Sequence, residues 1–408
     1  MYSFSGKIKL VAIISMVVGL LGIGYSFIAT PSTVEALGAH ASHDPAHAEH
    51  VLHLLQNKPW AALYVAALFF MLISLGVLAF YAINRAAQAG WAPILFRVME
   101  GITGYLPIGA LIFFLLLVFS GLHFNHLFIW MDPAVVAHDK VIQGKTGYLN
   151  VPFFLVRAAV YMLGWIAYRQ ITRKLSKAQD QAHDNRPFVK AFKWSAGFLV
   201  FFLVSESMMS WDWVMSVDPH WFSTLFGWYV FGSLIASAIA AIILVTVTLK
   251  SQGYLEHVND SHLHDLAKYL FGFSIFWTYL WFSQYLLYWY SNIPEEVTYF
   301  VTRLEHYEPI VLSMLAINFL LPLLILVDSD IKRKPWVVGT MAVVILVGHY
   351  LDFFNMIMPA TVGDQWCIGA GEIGSVLFFF GLFTFVTFHS LTKAPLVEKN
   401  HPLMHESE

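Results

Sequence analysis

Residues 201–222 read FFLVSESMMSWDWVMSVDPHWF. An apolar run carries Glu206 and Asp212 inside it and ends at Asp218-Pro219-His220. Long hydrophobic segments flank it on both sides, so it reads as membrane-spanning rather than as the core of a soluble domain. A carboxylate in that setting costs roughly 2.5–3.5 kcal/mol on insertion scales and normally faces a partner or a water-filled path. Glu206 therefore needs a partner from elsewhere in the chain.

Composition widens this reading to the whole sequence. Of 408 residues, 58% are apolar or aromatic and only 12% are charged, against about 25% charged in soluble domains. Apolar stretches recur along the full length and leave no room for a separate water-soluble domain. The net charge of −3 and the lack of a basic face give no sign of nucleic-acid binding. A single cysteine, Cys367, excludes an intrachain disulfide and an iron–sulfur cluster held by this chain alone. The absence of C-x-x-C-H excludes covalent haem attachment. Residues 8–29 are read as a retained first helix, since no small-residue cleavage site follows them convincingly.

Segments of about 20 apolar residues cross the hydrocarbon. They are expected at 8–29, 60–83, 100–121, 148–168, 194–214, 223–249, 266–290, 308–327, 336–358 and 369–389. The expected fold is thus an all-α integral membrane protein with about ten spans. With the N-terminus inside, the connections and span ends on the inner side hold eighteen Lys and Arg, and the outer loops hold only Lys58, Lys140, Lys145 and Arg303. The positive-inside rule then places both termini in the cytoplasm, with 390–408 as a cytoplasmic tail. A faint repeat runs at an offset of four helices. Asp212 stands seven residues before Pro219 and Asp352 seven before Pro359, while Phe119-Ser120 and Phe282-Ser283 each precede a proline. The repeat suggests one polytopic domain made of two four-helix bundles, 60–214 and 223–358, flanked by 8–29 and 369–389.

Ionisable groups inside the spans are the candidate functional residues. Arg157 and Glu206 fall near the middle of adjacent spans, so a buried ion pair between them is expected. His349 lies near the midplane of the ninth span with Asp352 one turn further out on the same face. Asp212 lies six residues beyond Glu206, about 9 Å along the helix, and Glu372 enters the tenth span near its outer end. Glu100 and Asp265 sit at inner span entrances, where water or headgroups can reach them. Glu206, Asp212, His349, Asp352 and Glu372 together suggest a proton path from midplane to outer surface. The structural alternative makes Arg157–Glu206 a bridge and the other acids interface lining. Trp211, Trp213, Trp221, Trp228, Trp281, Trp289 and Tyr290 at the outer ends fit an aromatic belt.

Two connections carry further signals. In the outer loop 30–59, His40, His43, His47, His50 and His53 are spaced three and four apart, which could hold zinc or copper. No closed tetrahedral ligand set is spelled out, however, and Asp44 and Glu49 suit a solvated, partner-facing loop, so no metal is assigned. The loop 169–193 is basic and helical in character, as expected of a surface near anionic headgroups.

The run FFLVSESMMSWDWVMSVDPHWFSTLFGWY at 201–229, with GEIGSVLFFFGLF opening the tenth span, resembles the integral membrane subunits of the polysulfide reductase type. More closely, it resembles the second large membrane subunit of alternative complex III, and the likeness extends over essentially all ten spans. The resemblance implies a membrane subunit of a bacterial respiratory quinol:electron acceptor oxidoreductase, and the fold of two four-helix bundles with flanking helices. Implied partners are an iron–sulfur protein and c-type cytochromes that hold the redox centres, a homologous membrane subunit, lipids and a terminal oxidase. Quinol oxidation falls chiefly to the other membrane subunit. This chain is then expected to hold no cofactor itself and to serve proton movement and complex integrity in the inner membrane. A haem-bearing cytochrome b would need deep histidines on facing helices, and only His349 is deep, since His123 and His126 lie at an outer edge. A purely structural subunit and a free-standing transporter are the remaining alternatives.

Overall fold

The computed structural model describes residues 2–36 and 45–407. Its helices are α1 (Gly6–Ala29), α2 (Pro45–Ala86), α3 (Pro93–Gly121), α4 (Val151–Gln179), α5 (Arg186–Trp213), α6 (Phe226–Ser251), α7 (Asp260–Ser291), α8 (Pro294–His306), α9 (Glu308–Ile325), α10 (Pro335–Val362) and α11 (Ala370–Leu391). The chain is 80% helical, with no strand among the described residues. Nine helices among those residues, all but α7 and α8, are long and apolar enough to cross a membrane. The expected seventh span, 266–290, lies in α7, which at 32 residues has the length but not the apolar composition. Its bulk comes from Trp and Tyr, whose polar tips suit interfaces and buried hydrogen bonds.

The helix starts follow local chemistry. The Asn150 side chain accepts from the Phe153 amide and caps α4, and Asn259 does the same for the first turn of α7. Proline occupies the first turn of α4, α5, α9 and α10, where its missing N–H costs nothing. Several helices outrun their expected bounds. α2 begins at Pro45, so His47, His50 and His53 sit on a helix, as their spacing of three suits, while His40 and His43 lie outside the described residues. α4 and α5 likewise extend into 169–193, which is helical as its character suggested, with a short turn at 180–185 and with Lys174, Lys177, Arg186, Lys190 and Lys193 exposed.

α2 occupies the centre. Its apolar window is 94% buried, against 11% for α1, because it is apolar on every face and packs on α3, α5, α6, α10 and α11. α4 packs on α3 and α5, α6 on α5, α7 and α10, and α9 on α10. α1 leans chiefly on α11, where small residues bring backbones together. A Cβ on Gly19 would stand 2.4 Å from the Phe378 amide nitrogen, and one on Gly374 2.8 Å from that of Ile23, a close approach typical of membrane helix pairs.

Both chain ends lie at one end of the bundle. Tyr2 packs on Tyr254 and Phe388, and the Ser407 hydroxyl donates to the Gly90 carbonyl at 2.6 Å. The tail after α11 is folded into this end. Glu398 pairs with Arg85 and accepts from Ser176 at 2.6 Å, and the Lys399 amide donates to Asp180 at 2.8 Å. Burial raises the Glu398 carboxyl pKa, while His401 is pulled down to about 3 by burial and by Arg85. Glu100, expected at a wet entrance, is instead buried among Tyr81 (3.1 Å), Arg97 (3.3 Å) and Arg173 (3.8 Å). Arg85, Arg97 and Arg173 turn inward to the acids of neighbouring helices and tail, while Arg186 stays exposed. Asp265 keeps partial exposure and pairs with Lys268 at 2.7 Å.

Candidate functional site

Two fully buried carboxylates, Asp212 on α5 and Asp352 on α10, organise the polar interior. Asp212 is gripped by Arg157 of α4 in two bonds of 2.9 Å, Nε to Oδ2 and Nη2 to Oδ1. The Tyr161 hydroxyl adds a longer bond of 3.3 Å. Arg157 also donates to the Tyr148 carbonyl at 3.0 Å and stacks on the Tyr148 and Phe153 rings. This corrects the expected Arg157–Glu206 pair. The Trp165 indole donates to Ser205 at 2.9 Å and sets the register of α4 against α5. Two turns back from Trp165 is Arg157, and two turns on from Ser205 is Asp212, so antiparallel packing brings these two level.

Glu206 is 3% exposed and accepts only from Ser210, at 3.2 Å; no cation pairs with it among the described residues. Trp213 and Trp221 are buried too, the first among Phe113, Tyr161 and Trp165, the second stacked on Tyr299 at 3.9 Å. They are core residues rather than belt, whereas Trp228, Trp289 and Tyr290 are exposed as a belt requires.

Asp352 has a different environment. Its donors are the Tyr229 hydroxyl and the Ser233 hydroxyl (2.6 Å) from α6 and the Trp277 indole (2.8 Å) from α7. All three are neutral. His349, one turn earlier on α10, stands with Nδ1 3.8 Å from Asp352 Oδ2 and its ring edge-on to Trp277. Among the described residues neither imidazole nitrogen has a hydrogen-bond partner, and the ring is fully buried.

Around this pair further polar atoms lack partners: both amide atoms of Asn318, the Asn355 Oδ1 and the Ser274 hydroxyl. Buried polar atoms are normally satisfied, so such a group marks a place for water or a ligand. Asn318 lies in a π-turn, Ala316–Leu320, just before Pro322, and π-turns are frequent at functional sites. Gly348 makes room for it, since a Cβ there would stand 2.1 Å from Asn318 Oδ1.

Pro359 shapes the far side. Lying inside α10, it has no N–H for the Asn355 carbonyl four residues back. Arg303 of α8 takes that carbonyl at 3.0 Å, together with those of Met356 (3.1 Å) and Tyr299 (2.8 Å). A buried guanidinium thus lies one turn from Asp352 and gives these bonds to carbonyls.

Of the five proton-path candidates, His349 and Asp352 are brought together; Asp212 is tied to Arg157, and Glu206 stands apart. Glu372 accepts from the Gly369 amide at 2.9 Å through Oε2 and leaves Oε1 buried without a partner. Tyr229, Ser233, Trp277, Asn318 and Arg303 escaped the sequence reading. The only signal for Asn318 was an amide in an apolar run shortly before a proline. No group of three His, Cys, Asp or Glu among the described residues has the arrangement of a metal site. No protein-family model matches the chain, and no curated protein matches it significantly.

Proposed function

We propose that the chain is a membrane subunit of a bacterial respiratory quinol:electron acceptor oxidoreductase of the alternative complex III type, serving proton movement and complex integrity. In this reading its spans form two four-helix bundles, α2–α5 and α6, α7, α9 and α10, with α1 and α11 flanking. Both termini are cytoplasmic, in line with the Lys and Arg distribution. Iron–sulfur and c-type haem partners carry the electrons. The groups meet where α2 packs on α6 and α10 and where α5 packs on α6.

The observation that carries the proton role is the Asp352–His349 pair. A carboxylate held by neutral donors can gain or lose a proton without stranding a cation. An imidazole with both nitrogens unpaired stands beside it, and unpaired Asn318, Asn355 and Ser274 atoms can hold connecting water. Glu206, also without a cation among the described residues, stands apart from this pair, and Glu372 of α11 lies beyond Tyr350. The test is proton release by the assembled complex in liposomes. Asp352→Asn keeps the shape and should assemble but lose proton transfer, and His349→Gln should impair it. Normal proton release from assembled Asp352→Asn would overturn the proton role. Copurification in mild detergent tests the assignment to a complex: multihaem cytochrome c and an iron–sulfur protein should accompany the chain, and solitary purification would contradict it. Orientation is checked at the exposed Cys367, which an impermeant maleimide should label from outside. Labelling only from the cytoplasmic side would reverse it.

A purely structural role is the second reading. The Arg157–Asp212 pair favours it for the α4–α5 half, because a bidentate, stacked pair resembles interhelical glue.

A further inference from the structure

Two apolar chambers lie in line between α10 and α11, floored by Phe70 and Ile73 of α2. One, of about 550 Å³, runs to Tyr350 and Glu372; the other, of about 430 Å³, runs to Lys7 and Thr387. Leu346 and Phe380 line both, so the chambers adjoin along one groove face between the helices. From Glu372 to Thr387 α11 advances about 23 Å at ~1.5 Å per residue, more than the ~15 Å of one leaflet's hydrocarbon. The close packing of α1 on α11 leaves this space open on the α10 side.

The two ends of the groove differ in charge. At one end stands the Glu372 carboxyl. At the other, exposed Lys7 occupies the first turn of α1, whose leading residue Ser5 makes no side-chain cap. The first-turn amides are therefore available to an anion. Thr387, fully buried and lining the same chamber, has a hydroxyl with no partner. Lys7, at the start of an uncapped helix, and the Thr387 hydroxyl thus line one end of a hydrocarbon-lined slot.

We infer that this groove seats one anionic glycerophospholipid, its phosphate at Lys7 and Thr387 and an acyl chain laid along Phe70, Leu346 and Phe380. The carboxyl at the far end disfavours the opposite orientation. This inference is independent of the function proposed above. A neutral isoprenoid quinone is the rival occupant, and its head would sit at Tyr350 and Glu372 instead.

The test is the lipid content of the full chain, purified in mild detergent with whatever subunits accompany it, by extraction and mass spectrometry. About one anionic phospholipid per chain should survive washing. Phosphatidylglycerol added to washed protein should rebind more tightly than phosphatidylcholine. Lys7→Ala should weaken phosphatidylglycerol rebinding about fivefold, the worth of one basic residue at an anionic headgroup. Leu346→Trp, which fills both chambers, should abolish retention, and Tyr350→Phe should leave it unchanged. Lys7 is exposed, so its variant folds even if Leu346→Trp does not. Unchanged phosphatidylglycerol binding in Lys7→Ala would overturn the inference. So would a retained quinone lost in Tyr350→Phe but kept in Lys7→Ala.

Discussion

Asp212 and Asp352 stand at matching places in the two halves of the chain, each seven residues before a proline and each fully buried. Asp212 is held by a guanidinium in two bonds of 2.9 Å. Asp352 meets a phenol, a hydroxyl and an indole, with no cation other than what His349 could become. The prolines differ too. Pro219 follows the end of α5, whereas Pro359 lies within α10 and frees a carbonyl that Arg303 takes. In the second half the cation has been moved off the carboxylate and onto the backbone. Two buried acids, each seven residues before a proline, thus have opposite partners: a guanidinium holds one, and neutral donors hold the other.

The largest expected effect separates the two halves directly. Arg157→Met strands the Asp212 carboxylate, and breaking such a pair from one side typically costs about 3–5 kcal/mol. The variant should lose most of its monodisperse protein on size-exclusion chromatography. Arg157→Met combined with Asp212→Leu should recover it, because an apolar pair of similar volume is often tolerated. Asp352→Asn strands no cation and should stay within about 1 kcal/mol of the parent protein, the scale of one ordinary hydrogen bond. Comparable losses at the two aspartates would erase the distinction.

A middle-sized effect concerns where the second cation went. Arg303→Leu leaves the Asn355 carbonyl without a partner, a loss of about 1–3 kcal/mol for one buried acceptor. Pro359→Ala restores an N–H four residues on and should offset part of that loss in the double variant. Heating series followed by chromatography would read both. If Pro359→Ala gives no relief, the freed carbonyl is not what holds Arg303.

Much of the frame was legible in the sequence, since length and apolarity alone locate the spans. His349 and Asp352 were legible as a pair because residues three apart share a helix face. The Arg157 partner was not. Glu206 and Asp212 are less than two turns apart on α5, and only the Trp165–Ser205 contact decides which of them comes level. The donors to Asp352 were hidden for another reason. A serine, a tyrosine and a tryptophan within apolar helices carry no periodic signal and, being uncharged, do not stand out among apolar neighbours. Asn318 was unreadable as part of a π-turn, because nothing in local composition separates such a turn from an ordinary helix beside a proline. Apolar span bounds fall short of the helices wherever polar residues continue them, as at Pro45–Lys58 and Arg169–Gln179, where the spacing of the histidines and the helical character of 169–193 carried the signal instead.

The smallest effect compares single hydroxyls. Tyr161 lies 3.3 Å from an Asp212 already satisfied by two short bonds from Arg157. Tyr229 supplies one of only three donors to Asp352. Hydrogen bonds to charged groups are worth about 1.5–3 kcal/mol, but a long bond to a carboxylate that keeps better donors is worth much less. Tyr161→Phe should therefore change stability by only a few tenths of a kcal/mol, below the ~1 kcal/mol of an average bond. Tyr229→Phe should cost about 1 kcal/mol or more if Asp352 is ionised when the protein is at rest. If Asp352 is protonated at rest, it can serve as a donor itself and the loss should shrink towards that of Tyr161→Phe. Measuring the Tyr229→Phe difference at several pH values distinguishes these cases. A cost that grows with rising pH marks a carboxyl that titrates in place, and a flat cost marks one locked in a single state. A flat profile at Asp352, matching that at Asp212, would make both aspartates struts and remove the basis for a proton role in the second half.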